Sequence, residues 1–420
     1  MRQLNRNPVT EIGVIRRLSD ADPVRFSDPR DRRGQRYPYE VLVMTLMLGC
    51  VGGLPSLREV EALSASLNPR VRRRTKIEGR ISDTKLRDVL LDLDPDETHA
   101  ALVRQVKAEH RRGVLKPDVL PFGLAAIDGK HLAKLDRWDH PDVQAVRPDN
   151  NAPYGLVRVH RAHLVSSAAC VCIGQRPIPG DTNEIGAVCN FTQQLIDDYG
   201  RTNLVEAFIL DAGNASLQHA SLIHEANLGY VFALKQPAGD IYQEAVRLLD
   251  DLPAEQAESS RTTIERGARV TVHLWRTRIE GYLRWTHARQ LIRVERTVEK
   301  QGEISRGVRY FVTNLVPGRL LAKHWLTLVR MYWRCENEGH WTADVIWKED
   351  ARRTPWIRAP RAVYALASLR MLALNILAVL RRMSRREWES RPIPWREATR
   401  LVYFALANPT RSTRTRLSCD

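Results

Sequence analysis

An α/β unit interrupted by a β-rich insertion, with helical regions before and after it, is the fold that this sequence predicts. Three observations lead there. Apolar residues at helical spacing, with capping signals, fill the first ~118 residues. Beyond Leu120, short apolar runs that end in an acid alternate with helical stretches. Over residues 262–313 the apolar period falls to two, as antiparallel strands require. The predicted units are 1–118, 119–352 with its insertion at about 238–315, and 353–420.

In the leading region, residues 39–50 are apolar on every side and predict a buried helix. Residues 56–66 predict an amphipathic one, because Ser56 as N-cap and Glu59 three residues later form a capping box. A third covers 82–93, capped by Ser82 or Asp83, with Leu86, Val89, Leu90 and Leu93 as its apolar stripe. Residues 70–76 read as a basic turn. With Arg72, Arg73 and Arg74 set on phosphate, this module suits a DNA reader; the plainer reading is a helical cap with a solvated loop.

In the α/β region, 123–128 predict a short buried strand and 157–173 a pair of strands. Residues 134–155, rich in Asp, Pro and Asn, predict a loop. A helix follows at 184–200. Strand 205–210, helix 216–226 and strand 230–234 form a parallel crossover. Strands at 269–275, 289–298 and 307–312 make the β-rich block, then helix returns at 320–340. Residues 359–382 are a strongly apolar helix, Pro392 and Pro394 interrupt the chain, and 395–407 form the last helix.

The composition is that of an ordinary globular protein, with 43% hydrophobic and 27% charged residues in 420. The formal charge of +16 is not ordinary. A polyanion is the usual partner of such a chain, since each Lys or Arg on a phosphate releases condensed counterions. From Ala351 onward, fifteen arginines stand against four acidic residues, a net of +11 with no lysine. Arg forks onto phosphate through two donors, so this segment suits DNA; it also suits a solvated tail. The six cysteines contain no C-x-x-C pair, which excludes a zinc ribbon and suits reduced thiols. The longest apolar stretch, 41–54, is too short to span a bilayer and is broken by Gly49, Gly52 and Gly53. No membrane association and a cytoplasmic location are therefore expected.

Three acids stand out by context. Asp128 ends the run Leu124-Ala125-Ala126-Ile127, and Asp211 ends Ala207-Phe208-Ile209-Leu210. Glu336 lies on the predicted helix 320–340. Singly, each has a plain explanation: an Asp-Gly turn, a helix N-cap and a solvated helix face. Together they suit metal-dependent chemistry, because open α/β sheets gather ligands at the carboxyl ends of their strands. Hard carboxylate oxygens hold Mg²⁺, and paired ions activate an attacking oxygen and stabilise a leaving one. On this reading Asp128 bridges two ions while Asp211 and Glu336 each hold one. Lys130, Lys235, Asn337 and His340 are the candidate DNA contacts near them. His340, four residues after Glu336, is expected to share its helix face and to touch the scissile phosphate or orient Glu336; a packed helix-face histidine is the alternative. Trp388, Trp395 and Arg396 suit stacking on unpaired bases, or serve as core anchors.

Several segments in order carry a family resemblance. They are Ile127-Asp128-Gly129-Lys130, Thr182-Asn183-Glu184-Ile185, Leu210-Asp211-Ala212 and Tyr230-Val231-Phe232-Ala233-Leu234-Lys235. After the β-rich block come Trp333-x-x-Glu336-Asn337, His340-Trp341-x-x-Asp344-Val345 and Lys348-Glu349-Asp350-Ala351. With Asp28-Pro29-Arg30 and Ile81-Ser82-Asp83-Thr84 near the start, the chain resembles the DDE transposases of insertion sequences, in particular the ISAs-type, H-repeat-associated family, from about residue 28 to about 383. The resemblance implies an RNase H-like core, a β-rich insertion before the last acid, and Asp128, Asp211 and Glu336 as the catalytic and metal-binding triad. It also implies Mg²⁺ or Mn²⁺ as cofactor and cut-and-paste transfer of double-stranded DNA between element terminal repeats and target. A homodimer on the DNA and association with the nucleoid follow from that activity. The sequence departs from the family at Tyr332, where His is usual, at Cys335, where an aliphatic residue is usual, and after Asp128, where His131-Leu132-Ala133-Lys134 stands. The wider superfamily's Tyr-x-x-Arg-x-x-x-Glu signature is not met at Glu336. A structure-specific nuclease on the same core and a DNA-binding transposase remnant are the alternatives.

Overall fold

Pairing among the strands decides the architecture, and it was followed in a computed structural model of the chain. The residues it describes are 9–31, 33, 35–136, 139–149, 152–236, 239–282, 284–349, 359–383 and 392–407. Six helices come first: α1 (Glu11–Ser19), α2 (Tyr39–Val51), α3 (Leu57–Ser66), α4 (Pro69–Thr75), α5 (Asp83–Asp92) and α6 (Pro95–Arg111). The capping box at Ser56 and Glu59 forms as the sequence predicts, and Ser82 caps α5. The expected basic turn is instead the short helix α4: Asn68 caps it, Pro69 opens it and Lys76 ends it in the left-handed region.

The sheet begins with β1 (Leu124–Leu135), β2 (Gln144–Val146), β3 (Tyr154–Leu164) and β4 (Cys172–Pro177). Helix α7 (Glu184–Tyr199) leads to β5 (Ala207–Leu210), and α8 (Leu217–Glu225) to β6 (Gly229–Leu234). After α9 (Asp240–Leu249) come β7 (Ser259–Glu265), β8 (Ala268–Arg278), β9 (Gln290–Lys300) and β10 (Glu303–Thr313). All ten strands form one sheet. β3 lies antiparallel between β4 and β1, and β1, β5 and β6 run parallel. β10 pairs antiparallel with β6, so the β-rich block extends the same sheet from its far side.

β1 differs from its prediction. It does not end at Asp128 but runs on to Leu135, paired with β3, while β5 accompanies it only as far as Ala126. Asp128 thus sits in mid-strand, just past the point where its parallel neighbour stops. Alternation sends Leu124 and Ala126 into one apolar cluster, with Ile209, Val231 and Trp325, and Ala125 and Ile127 into the other.

The second cluster holds the leading helices together with α12 (Pro360–Met383), which follows α10 (Ala322–Met331) and α11 (Trp341–Trp347) and precedes α13 (Trp395–Leu406). α12 is long and apolar enough to cross a membrane, longer than the 41–54 stretch, yet that apolar window is entirely buried within the protein. It lies against α2, α5, α6 and β4. Asn375 explains the last contact: its Oδ1 accepts from the Cys172 N–H and its Nδ2 donates to the Cys172 carbonyl, both at 2.7 Å. One amide side chain thereby takes the place of a strand neighbour.

A buried ion pair fastens the end of α11 to the sheet. Arg161 of β3, fully buried, donates to both Glu349 oxygens at 2.8 and 3.2 Å and to Gln175 at 2.7 Å. Arg370 of α12 approaches the same carboxylate at 3.8 Å. These cations hold the Glu349 carboxyl below its ordinary range against the opposing effect of burial. Replacing Glu349 with Leu strands two buried guanidiniums and is expected to cost about 3–5 kcal/mol in urea unfolding. Arg370→Met, which leaves the bidentate pair intact, is expected to cost well under half of that.

Candidate functional site

Asp128 is the centre of the site. Its face of β1 also carries Lys130, and opposite on β3 stand Arg161 and His163. A nearly continuous helical rod, α10 through α11, lies across that face. Its middle, Cys335–His340, is wound as a π-helix. In a regular α-helix, residues five apart point about 140° away from each other. The i→i+5 pattern of the π segment relaxes that constraint, so Cys335 and His340 both face Asp128. The Tyr332 hydroxyl donates to Asp128 Oδ1 at 3.0 Å, the Cys335 thiol lies 4.0 Å from Oδ2, and His340 Nδ1 lies 3.5 Å from Oδ2. The Gly129 N–H also donates to Oδ1, at 3.0 Å. Gly339 is required by this winding: a Cβ there would stand 2.4 Å from the His163 ring nitrogen.

Of the three acids, Asp128 feels the charge of both others, although among the described residues the three do not gather as a group that could hold a metal. Burial pushes the Asp128 carboxyl up to about 7, and the charges of Glu336 and Asp211 push it the same way, against the Tyr332 hydrogen bond. Glu336 is itself raised by burial, opposed by the Arg309 guanidinium. Asp211 stands just past the end of β5, where its Oδ1 accepts from the Asn214 backbone N–H at 3.2 Å and side-chain amide at 2.6 Å. His340 and His163 are kept neutral by burial, so His340 meets Asp128 as a neutral ring and not as an ion-pair partner.

The remaining predicted residues divide. Lys130 is buried, and its ammonium is bound by both oxygens of Asp344 at 2.7 and 2.8 Å, so it braces the rod on β1 and is not offered to phosphate. Arg72 donates to the carbonyls of Ser64, Ala65, Leu67 and Ile77; it closes the end of α3. Arg73 and Arg74 are exposed on α4. Lys235 is exposed one residue beyond β6, and Asn337 is exposed beside Glu336. His340 faces Asp128 rather than open solvent. Trp388 lies outside the described residues, as do Asp350, Ala351 and the arginines of 352–358, 385–391 and 411–416. Arg309 escaped the sequence reading. It is exposed on β10, its guanidinium 5.1 Å from the Trp333 ring centre, and it acts on Glu336. Nothing local marks it, because it reaches the site only through the pairing of β10 with β6.

The donor set suits a hard divalent cation in kind: three part-exposed carboxylates, the central one held uncharged in part by its neighbours. Among the described residues, no three acid, His or Cys donors are already gathered as a closed ligand cage.

No known family's sequence profile matches the chain. A stretch of 79 residues is 33% identical to "H repeat-associated putative transposase YhhI" of Escherichia coli (strain K12) and equally to the protein YbfL of that organism. The match spans 19% of this chain and 19% of each relative. Among solved structures, a cryo-EM structure of a piggyBac transposase synaptic complex with hairpin DNA aligns over 100% of this chain and 86% of that one. Its TM-score is 0.46 at 12% identity, too low to carry a fold assignment.

Asp128 sets a pH signature. Its folded pKa stands above that of an unfolded aspartate, so its share of stability is present at acid pH and lost as pH rises from about 4 to about 7. In a chelator, Asp128→Asn is expected to gain stability relative to wild type across that window, by about 1.4 kcal/mol per unit of displacement, and to hold the gain above it. Unfolding followed against pH for the two proteins isolates this contribution from the buried histidines, which act in the opposite sense.

Proposed function

We propose that the chain is a DNA transposase acting through Asp128, Asp211 and Glu336. The observation that carries this reading is the Asp128 carboxyl, raised to about 7 at the meeting point of two other acidic charges. Beyond its hydrogen bonds from Tyr332 and Gly129, such a group takes up a proton unless a nearby cation holds it charged. Mg²⁺ or Mn²⁺ bound there would supply Lewis-acid stabilisation of the oxygens at the scissile phosphate. Asp128 is the shared ligand in this reading, with Asp211 and Glu336 on either side. Tyr332 and His340 hold the Asp128 carboxyl in place, and Arg309 stands ready to meet a phosphate beside Glu336. The antiparallel β4-β3-β1 ladder followed by parallel β5 and β6 supports the RNase H-like core, and the local identity with the E. coli protein supports the transposase class.

The wider assignments follow from that activity. Residues 1–118 read element ends through exposed cations such as Arg73 and Arg74, 119–352 carry the chemistry, and 353–420 supply further arginine contacts. Two protomers hold two terminal repeats and the target DNA. Lys235, just past the carboxyl end of β6 as Asp211 is of β5, and Asn337 contact the strand entering the site.

One observation favours a second reading. The Tyr332 and Cys335 side chains occupy the surroundings of Asp128, and no closed donor cage stands among the described residues. A remnant that binds DNA with a steep salt dependence but does not turn over would look like this.

Purified protein, labelled duplex carrying the element ends and Mg²⁺ separate the readings. The transposase yields nicked ends and, with target DNA present, joined products. Asp128→Asn lowers cleavage by at least about 10³-fold, on the scale of losing a group that acts directly on the reacting centre. Cleavage that persists in Asp128→Asn rejects the assignment; cleavage without joining makes the protein a nuclease; salt-sensitive binding without either makes it the remnant. Tyr332→Phe, which removes one of the two donors to Asp128 Oδ1 and leaves the Gly129 N–H, is expected to retain cleavage and to lower the metal concentration needed for half-maximal rate.

A further inference from the structure

On the outer side of the rod that carries Glu336 lies a cavity of roughly 550 Å³. Asn337 and Trp341 line it from the rod, Arg381 and Arg382 from the end of α12, and Trp395 and Arg396 from the start of α13. Its volume is in the range of sites that enclose one small organic ligand. Trp341 is 56% exposed, a large indole surface left to solvent at the cavity mouth. Trp395 is fixed as a wall by the Arg381 guanidinium, 4.5 Å from its ring centre. Among the described residues Glu338 is the one acid in the lining, and Arg334 binds both its oxygens at 2.7 and 3.0 Å. Its charge is thus balanced from behind, which leaves the arginines to set the sign of the cavity.

We infer that this cavity receives an unpaired nucleotide of DNA, with Trp341 stacked on the base and Arg382 and Arg396 facing the flanking phosphates. An aromatic platform among arginines selects for this ligand. Every base has a π face that an indole can cover, and the guanidiniums answer the charge of the backbone. The position gives the site its use: Asn337 of the lining adjoins Glu336, so a nucleotide held here is displaced from the stack one residue from a proposed catalytic acid. The inference rests on the reading of the protein as DNA-processing, but it concerns binding and not chemistry.

The test uses the full chain in a chelator, with a short oligothymidylate and a blunt duplex of equal length as probes. Indole fluorescence and anisotropy report binding. Wild type is expected to bind the oligothymidylate with quenching. Trp341→Ala is expected to weaken that binding about 10-fold or more, the scale of one base–aromatic stack, while duplex binding stays within about twofold. Trp341→Phe retains most of the affinity, and Arg382→Gln lowers the salt slope for the single strand by about 0.7. Because Trp341 is exposed, its replacement leaves the fold intact, and an unchanged unfolding midpoint verifies that. Equal single-strand affinity in wild type and Trp341→Ala overturns the inference. Asp128→Asn separates it from the transposase reading: cleavage of element ends that survives in that variant rejects the transposase alone, whereas Trp341-independent binding in a cleaving protein rejects the cavity alone.

Discussion

The placement of Glu336 beside Asp128 depends on how one helical rod is fastened to the sheet. Two ion pairs do it. Lys130 on β1 binds Asp344, and Arg161 on β3 binds Glu349 with both side chains buried. Buried pairs of this kind add little net stability over an apolar contact, but they penalise every misaligned register, because a shift strands a charge in the interior. A chain whose Asp128 and Glu336 lie more than two hundred residues apart needs that penalty. It holds the rod at one height along β1, and the acids on both elements follow.

Just before the two clamps the rod winds wider, and the consequence is local. The π segment aims Cys335 and His340 at Asp128 together and brings Gly339 against His163. The surroundings of Asp128 are therefore a hydroxyl, a thiol and a neutral imidazole, with like charges beyond them. Such a setting opposes a bare carboxylate and welcomes a cation, which is the physical basis of the proposed chemistry. It is also where the sequence departs from the family it resembles, at Tyr332 and Cys335.

Remote segments support this arrangement through the apolar interior. α12 runs through the cluster that also holds the leading helices and the inner face of β1. Asn375 docks it on β4, and the Trp347 indole N–H donates to the Cys50 carbonyl of α2, tying the rod to the leading helices. On the far side, β10 pairs with β6, and that continuity carries Arg309 toward Glu336. The β-rich block is thus an extension of the sheet with a residue at the site.

Much was legible in the sequence because it is local. The capping box at Ser56, the crossover from β5 to β6, the alternation in β8 and β9, and the apolar run of α12 all follow from short-range patterns. Asp128, Asp211 and Glu336 were legible as acids at the ends or faces of such elements. Other features depend on partners far away in the chain. Whether β1 stops at Asp128 is decided by β3, which continues to pair after β5 has ended. Whether Lys130 meets DNA or a carboxylate is decided by Asp344, and whether Arg72 is free is decided by three carbonyls at the end of α3 and that of Ile77 beyond α4. The sequence by itself determined which elements form and which residues have the chemistry; tertiary structure decided which charges are spent inside and which are left for a ligand. The reason is that helix and strand preferences act over a few residues, whereas burial and ion pairing are properties of the assembled neighbourhood.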